Sequence, residues 1–373
     1  SRGLGDVYKR QNYKSRRRKV MIDWHESMEQ TFEYYVVDPG TWKDKQKLDT
    51  VKPGSTIKRD SKSDTLGSAS IKITGLVGEC YIRAYLIAIQ NGVTYKEPLG
   101  TFLVQTPSSS FDGKVKSVTL DAYTPLIELN ENPPALGYFT PKKSNTMDEV
   151  YRLARDNCRA PVVPSKSDKV LYSDFVANTS DTWLTYCKDL AANADYELGL
   201  DEMGRIIFPP TQELESLQPV TTYNDDNSSI LLPSITMEHD IYGIPNVVEI
   251  VYSNNNDYHY SRVVNDDVNS PTSTVNRGRE IIHRVTDLNL AGIPTNAQVD
   301  EYAEKLLKSL STVEYTITYT HGYCQTRLGD CVRLNYKAAG LTDVKAKVIS
   351  QSITCESGCP VEETAKYTKN LWR

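Results

Sequence analysis

Short hydrophobic segments with strand character recur along the first third of the chain. Five of them either alternate apolar and polar residues or are rich in β-branched and aromatic residues, and they cover residues 32–37, 69–73, 81–89, 101–105 and 115–122. Turn-forming pairs such as Asn91-Gly92 and Asp112-Gly113 separate them, and both favour tight hairpins because their residues tolerate positive φ. Many short strands at this spacing predict a small barrel or sandwich. We therefore expect a first β domain over residues 20–128.

The pattern becomes helical after the proline-rich break at residues 132–134. Thr146 and Glu149 form a predicted capping box, and the apolar face behind it comprises Val150, Leu153 and Ala154. A second helix is expected to start near residues 179–181 and to bury Trp183, Leu184, Cys187, Leu190 and Ala191. A hairpin follows, whose turn contains Asp201 and Gly204. These elements predict a mixed α/β domain over residues 129–232.

The last part of the chain returns to strands and contains the clearest helix. Strands are expected within residues 247–252, 257–268, 279–285, 313–319, 332–336 and 344–348. Thr295 and Gln298 form a capping box, and six apolar residues follow at 3.6-residue spacing: Val299, Tyr302, Ala303, Leu306, Leu307 and Leu310. The polar stretch 254–276 is typical of a long solvated loop or hairpin tip. We expect a second β domain over residues 233–373 with one amphipathic helix at 295–310.

Composition limits the class of protein. The 373 residues carry a net charge of -5, which argues against a general attraction to nucleic acid. The basic cluster at residues 14–19 is interpreted as a solvated terminus rather than a nucleic-acid or membrane arm. Mean hydropathy is -0.48, and no apolar run approaches the roughly 18 residues of a membrane span, so we expect no membrane insertion.

Cysteine and tyrosine usage adds two expectations. The seven cysteines are an odd number spread through a long chain, which favours folding in a reducing cytoplasm over a disulfide framework. The chain has 24 Tyr against 6 Phe. Tyrosine suits half-buried sheet faces and subunit interfaces, where one end of the ring stays wet. A β-rich assembly protein would fit this balance.

The first residues, 1–11, read SRGLGDVYKRQ and resemble a translated sequencing adapter from an environmental assembly. We therefore expect residues 1–19 to be artefactual or disordered and to contribute nothing to the fold.

Sequence motifs for catalysis are absent. The chain has no HExxH, GxSxG, P-loop or GxGxxG pattern. Adjacent acids such as Glu362-Glu363 are interpreted as solvated rather than catalytic. Cys324 near His321 is rejected as a nucleophile and base, because residues three apart on a strand point to opposite faces. We expect no enzyme, no catalytic residue and no cofactor.

The four C-terminal cysteines are candidate zinc ligands. Cys324, Cys331, Cys355 and Cys359 have gaps of x6 and x3, and only the second gap approaches the usual C-x2-4-C pairing. Turn geometry around Gly358 could bring Cys355 and Cys359 close together. Buried small hydrophobic residues are the favoured interpretation, and a metal site is a weak alternative.

Three groups of motifs carry a resemblance to a known family. They are Val37-Asp38-Pro39 with Thr41-Trp42, residues 57–61 and residues 66–69; then Thr182-Trp183, Asp201-x-x-Gly204-Arg205 and Ile244-Pro245-Asn246; and finally Leu328-Gly329-Asp330-Cys331-Val332. In this order they resemble the baseplate-hub (tail-tip hub) proteins of phages and prophages of Gram-positive bacteria. The structural motif residues that the resemblance singles out are Asp201, Gly204, Pro245, Asn246, Gly329 and Asp330.

The resemblance implies a structural role in the virion tail. Hub proteins have two small β-barrel or tube-type domains that flank an inserted α/β domain, which matches a β-rich α+β fold class. A homotrimer of such a protein joins the tail tube to the tip and encloses the DNA channel. Its partners are then other copies of itself, the tail tube or distal tail protein, the tape-measure protein, and tip or spike proteins. DNA is only a passing cargo.

Two other functions stay open at this point. One is a tail-associated peptidoglycan hydrolase, which would clear a zymogram of cell wall. Some hub relatives carry such a domain or a fibre-like extension, and the sequence ends at residues 372–373 with neither. The other is a glycan-binding β-sandwich adhesin with an exposed aromatic platform. The four tryptophans of this chain are too scattered along the sequence to indicate such a platform; they are Trp24, Trp42, Trp183 and Trp372.

Overall fold

The described part of the chain comprises residues 22–74, 78–111, 113, 116–226, 229–253, 258–286 and 295–372 of a computed structural model. The expected artefactual terminus, residues 1–19, lies outside these residues. No helix in the described segments is long and apolar enough to cross a membrane.

The first β region contains seven strands. They are β1 (Glu29–Val37), β2 (Asp44–Lys47), β3 (Ser55–Asp60), β4 (Gly67–Ile73), β5 (Tyr81–Gln90), β6 (Val93–Phe111) and β7 (Lys116–Tyr123). The hairpin between β5 and β6 turns at Asn91 and Gly92, whose φ angles are 52° and 74°. Positive φ at both central residues is what a tight hairpin requires. All five predicted strand segments overlap strands of the structure.

The insert follows as a set of short elements. They are α1 (Ile127–Glu131), β8 (Phe139–Thr140), α2 (Thr146–Asn157), β9 (Phe175–Val176), α3 (Trp183–Ala192), β10 (Gly199–Leu200) and β11 (Ile206–Ile207). The predicted capping box at Thr146 is wrong, because Asn145 is the N-cap of α2 and accepts from the amides of Met147 and Asp148. Thr146 is instead the buried first residue of the helix.

The second β region holds most of the remaining elements. They are β12 (Thr221–Asn224), β13 (Leu231–His239), β14 (Val247–Ser253), β15 (Tyr258–Val264), α4 (Thr274–Arg277), β16 (Ile282–Val285), α5 (Asn296–Leu310), β17 (Thr312–Gly322), β18 (Cys331–Asn335), β19 (Val344–Cys355) and β20 (Pro360–Asn370). Helix α5 starts with the capping box of Thr295 and Gln298 and packs against β14 and β15. Val299, Ala303 and Leu307 are its buried residues.

The polar stretch 254–276 was expected to be a solvated loop, and its described part is more ordered than that. It contains β15 and α4, and Asn265, Ser270 and Thr272 are buried. The Asn265 side chain donates to the hydroxyl of Ser270 at 2.9 Å. Short polar side chains can satisfy one another locally, so polar residues of such a stretch can still be buried.

A single large sheet unites the two β regions. Its strand order is β13-β17-β20-β19-β3-β4-β7-β6-β5-β1-β2, with β18 paired to β19 and β12 paired in parallel to β18. The β-rich prediction is confirmed. The barrel form of that prediction is not confirmed, because no strand set among the described residues closes into a barrel. The pairing of β3 with β19 joins the two regions edge to edge instead.

Candidate functional site: the seam between the two β regions

The candidate site is built on the antiparallel pairing of β3 with β19, which we call the seam. Its register runs through six residue pairs, from Asp60 opposite Ser350 to Ser55 opposite Cys355. The amide and the hydroxyl of Ser61 both donate to the carbonyl of Ile349 at 2.9 Å. Strands far apart in the sequence therefore share one continuous ladder.

The hydrophobic core crosses the seam as well. Residues of the first β region, such as Ile57 and Ile71, form one cluster with Tyr323, Ile353 and Val361 from the second. All five are nearly inaccessible to solvent. Burial of apolar area is the dominant favourable term in folding, so separating the regions would expose part of a shared core.

A row of polar side chains runs across the same strands. Arg59 lies opposite Gln351, Gln351 lies opposite Glu363, and Glu363 lies opposite Tyr319, so the row spans β3, β19, β20 and β17. Arg59 Nη1 donates to Gln351 Oε1 at 2.9 Å, and Gln351 Nε2 donates to Glu363 Oε2 at 2.6 Å. Tyr319 donates to Glu363 Oε1 at 2.5 Å. Hydrogen bonding thus extends from one β region into the other.

Glu363 is the centre of this row and is fully buried. Besides Tyr319 and Gln351, Thr326 donates to its Oε2 at 2.8 Å, and His321 Nε2 lies 3.5 Å from the same oxygen. Burial raises the pKa of Glu363, but the hydrogen bonds and charge of His321 and the donors around it outweigh this and lower the pKa. The interpretation of the adjacent acids as solvated is therefore wrong for Glu363, although Glu362 is exposed.

His321 carries the matching positive charge. Burial lowers its pKa, yet its contacts with Cys324 and Glu363 raise the pKa overall. The buried row therefore contains an ion pair between an imidazolium and a carboxylate. Such a pair is tolerated only where further hydrogen bonds satisfy both ions, and the neighbouring hydroxyl and amide groups supply them here.

The loop after β17 links this row to the far side of the first β region. Gln325 Nε2 donates to Glu97 Oε2 at 2.9 Å, and Arg327 Nη2 donates to Glu97 Oε1 at 2.7 Å. Glu97 lies on β6 and is 5% exposed. Arg327 also pairs with Glu202 of the insert. Because all three parts of the chain meet at Arg327, the loop fixes their relative positions.

The turn at residues 201–204 is the part of the insert that reaches this junction. The carbonyl of Met203 accepts from Trp42 Nε1 at 2.7 Å and from Arg83 Nη2 at 3.1 Å. Asp201 shapes the turn, since its Oδ1 accepts from the amide of Arg205 at 2.8 Å. The turn is thus held by the first β region on one side and by Arg327 on the other.

Gly204 has a conformational and a steric role in this turn. Its φ is 72°, and a Cβ at this position would lie 2.6 Å from Cβ of Thr101. That separation is shorter than carbon atoms tolerate, and the positive φ adds strain for any other residue. Gly204 therefore allows the insert to approach the first β region closely.

The other motif residues lie outside this junction or at its border. Asn246, fully buried, accepts from the amide of Ile281 at 2.7 Å and donates to the carbonyl of Arg279 at 3.0 Å, next to the buried Pro245. This fixes the start of β14. Gly329, with φ 83°, and Asp330 form the turn before β18. Asp330 Oδ2 accepts from the amide of Arg327 at 2.9 Å.

The four C-terminal cysteines do not converge on one point. Cys355 and Cys359 belong to the core that crosses the seam, whereas Cys324 belongs to a separate cluster around Tyr223. All four are buried free thiols. Within the described segments, no group of three or more His, Cys, Asp or Glu side chains is placed to hold a metal ion.

Sequence reasoning missed several residues of the site. Arg83 had a usable signal, because it is a single charge within the apolar strand β5 and is 1% exposed. Gln351, His321 and Glu363 had none, since only their strand partners reveal them. The rejection of a His321–Cys324 contact was wrong: β17 ends at Gly322, so Cys324 turns back and its Sγ lies 3.8 Å from His321 Nδ1.

Solved tail proteins have a similar fold. The tail protein from Neisseria meningitidis MC58 matches with a TM-score of 0.57 and 14% identity, over 92% of this chain and 98% of that one. The 43 kDa tail protein of prophage MuSo2 from Shewanella oneidensis matches with a TM-score of 0.56 and 10% identity, over 90% and 98%. The chain thus has the fold of phage tail proteins.

A chain of a two-protein complex also has a related fold. A chain of the lidded Francisella PdpA-VgrG complex matches with a TM-score of 0.51 and 9% identity, over 92% of this chain and 53% of that one. No protein-family model and no curated protein sequence matches the chain.

Proposed function

We propose that the chain is a structural subunit of a phage tail tip or baseplate hub, which joins the tail tube to the tip and encloses the DNA channel. The observation that carries the proposal is the seam, because it makes two β regions into one wall segment. The fold shared with two tail proteins over nine-tenths of the chain supports it. The protein then resides in the virion tail after assembly in the host cytoplasm.

The proposed assembly is a homotrimer. Each copy would contribute two tube-type β units, from residues 20–128 and 233–373, with residues 129–232 as the α/β insert between them. Three copies would then present six units around a channel. The net charge of -5 is consistent with a lumen that repels the phosphates of passing DNA.

The outer strands of the large sheet are suited to contacts between copies. Strand β13 is exposed along most of its length and includes the exposed Leu232 and Met237. Strand β2, at the other end, consists of exposed polar residues, of which Lys45 and Lys47 are basic. An exposed strand edge is a template for pairing with another chain unless charges protect it. We therefore propose that copies contact one another at β13. The charged edge at β2 would then be left for contacts with the other tail components.

The partners implied by this role are tail components. Above the ring they are the tail tube or distal tail protein, inside it the tape-measure protein, and below it tip or spike proteins. Tyrosine suits interfaces in which one end of the ring stays solvated. The Tyr-rich composition is therefore consistent with several such contacts on one subunit.

Analytical ultracentrifugation and negative-stain imaging of the full chain test the proposal. We expect annular particles of three 42.0 kDa copies at high concentration. Leu232→Asp should abolish them, because a charge at the β13 edge disfavours strand addition. Leu136→Asp is the matched control, since Leu136 is an exposed leucine of the insert, and it should leave the particles intact. A chain that stays monomeric at every concentration, or rings that survive Leu232→Asp and not Leu136→Asp, would contradict the proposal.

A further inference from the structure

A cavity lies beside the loop that follows β17. Its volume is about 420 Å³, and its lining includes Trp24, Val220, Thr221, Cys324 and Thr326. The tail role proposed above does not use it. Cys324 is one of the residues of its wall, so a small molecule in the cavity would lie next to this cysteine.

Cys324 differs from the other deeply buried cysteines in its neighbours. Its Sγ lies 3.8 Å from His321 Nδ1 and 3.3 Å from the hydroxyl of Tyr223. Its exposed fraction is 7%, compared with 1% for Cys331 and Cys355. Among these three thiols, Cys324 is therefore the one that contacts a histidine and belongs to the wall of this cavity.

The charge next to Cys324 comes from His321, which Glu363 holds in its protonated form. The hydrogen-bond contacts with Cys324 and Glu363 raise the pKa of His321 despite burial. The remaining titratable groups around this cluster include Tyr223, Tyr319 and Tyr323. Burial raises the pKa of all three, so they stay neutral. A cation beside a sulfur atom stabilises the negative charge that the sulfur carries when it attacks.

We propose that Cys324 is a covalent modification site for small thiol-reactive electrophiles of the disulfide and thiosulfonate class, which the cavity admits and His321 activates. With a disulfide, the Cys324 thiol first loses its proton to water, and the resulting thiolate sulfur attacks one of the two sulfur atoms. The bond between Cys324 and that sulfur forms, the original S–S bond breaks, and the second sulfur leaves as a thiolate. No net electron transfer beyond this exchange is required, and a reductant thiol reverses it.

The modification is coupled to the seam through Thr326. This residue lines the cavity and donates to Glu363 at 2.8 Å, and its hydroxyl lies 3.8 Å from Cys324 Sγ. A group added to Cys324 would occupy the space beside Thr326. The site does not depend on the proposed tail role, because its argument rests on the cluster and the cavity alone.

Labelling of the native full chain with methyl methanethiosulfonate tests the site. The attacking sulfur takes the methylthio group, and methanesulfinate leaves. Peptide mass spectrometry then follows each cysteine with time at pH 7. We expect Cys324 to be modified at least about tenfold faster than Cys331 and Cys355, because it is the most exposed of the three and lies beside the cavity. Equal rates for the three cysteines would overturn the proposal.

The variant His321→Gln separates activation from access. It should slow the labelling of Cys324 by about tenfold or more. It should leave unchanged the labelling of Cys80, which is half-buried and has Glu79 rather than His321 as its charged neighbour. An unchanged Cys324 rate in the variant would refute the role of His321. Rapid labelling of Cys331 and Cys355 in the variant would report unfolding, and the order of labelling in the unaltered chain then decides the proposal.

Discussion

The two β regions meet in one large sheet, to which all strands of the second region except β14, β15 and β16 belong, yet their interiors are built differently. In the first, strand β5 buries eight consecutive residues, and Arg83 is the only charged one. In the second, the buried positions of β17, β19 and β20 include His321, Gln351 and Glu363 among apolar residues. The buried residues of β5 therefore contribute mainly non-directional burial of area, whereas the buried polar row of the second region depends on hydrogen bonds that require every partner in place.

This difference has a consequence for how each region responds to substitution. Removal of a methyl or isobutyl group leaves a cavity, and its cost depends on how far the surroundings relax. Removal of one member of a buried polar row leaves the remaining donors and charges without partners. The second region should therefore be the more sensitive one to single changes of charge.

The largest effect is expected for Glu363→Leu. The substitution leaves the charge of His321 buried without a counterion and orphans three donors, so the free energy of unfolding should fall by about 3–5 kcal/mol. Glu362→Leu is the matched control, since the neighbouring residue is exposed, and it should change the value by less than about 0.5 kcal/mol. Urea unfolding followed by tryptophan fluorescence measures both. Equal losses would show that the polar row does not stabilise the second region.

A smaller loss is expected for Leu86→Ala in the first region. Leu86 is fully buried on β5, so the cavity should lower the free energy of unfolding by about 3 kcal/mol. Ile89→Ala, on the same strand but 36% exposed, should cost less than about 1 kcal/mol. The same urea titration applies. If the two variants behave alike, β5 is not packed as the burial indicates.

The smallest effect is expected in the pH dependence of the free energy of unfolding, which we assign to a titrating residue of the second region. The folded pKa of His321 is raised above its ordinary value of 6.5 to about 10. Its contribution to stability is therefore complete below about pH 6.5 and is lost as the pH rises through the folded pKa. Between pH 6 and pH 9, the unaltered chain should lose at least about 1 kcal/mol relative to His321→Gln, the equivalent of one pKa unit.

A variant of the first region serves as the control in this pH test. Leu86→Ala should keep the pH dependence of the unaltered chain, because it removes no titrating group. Thermal unfolding over the pH range supplies the data for all three proteins. Parallel pH curves for the unaltered chain and His321→Gln would place the titrating group elsewhere in the molecule.

Local elements were predictable to the extent that their signals are local. The α5 helix has its capping box and apolar spacing within residues 295–310, and Asn91-Gly92 specifies a hairpin by its own backbone preferences. The cap of α2 was misplaced by one residue, because Asn145 and Thr146 are both good N-caps and only burial of Thr146 distinguishes them. The buried polar loop at Asn265 was missed, since its composition alone resembles that of a solvated loop.

The sequence by itself determined the β-rich character, the helix positions and the turn at residues 201–204, because these depend on the periodicity of apolar side chains and on glycine geometry. Only the tertiary structure decided that β3 pairs with β19, and thereby that Arg59, Gln351, Glu363 and Tyr319 stand in one row. The pairing joins residues nearly 300 positions apart. Its register follows from the packing of a core shared by both regions, and no local pattern encodes that.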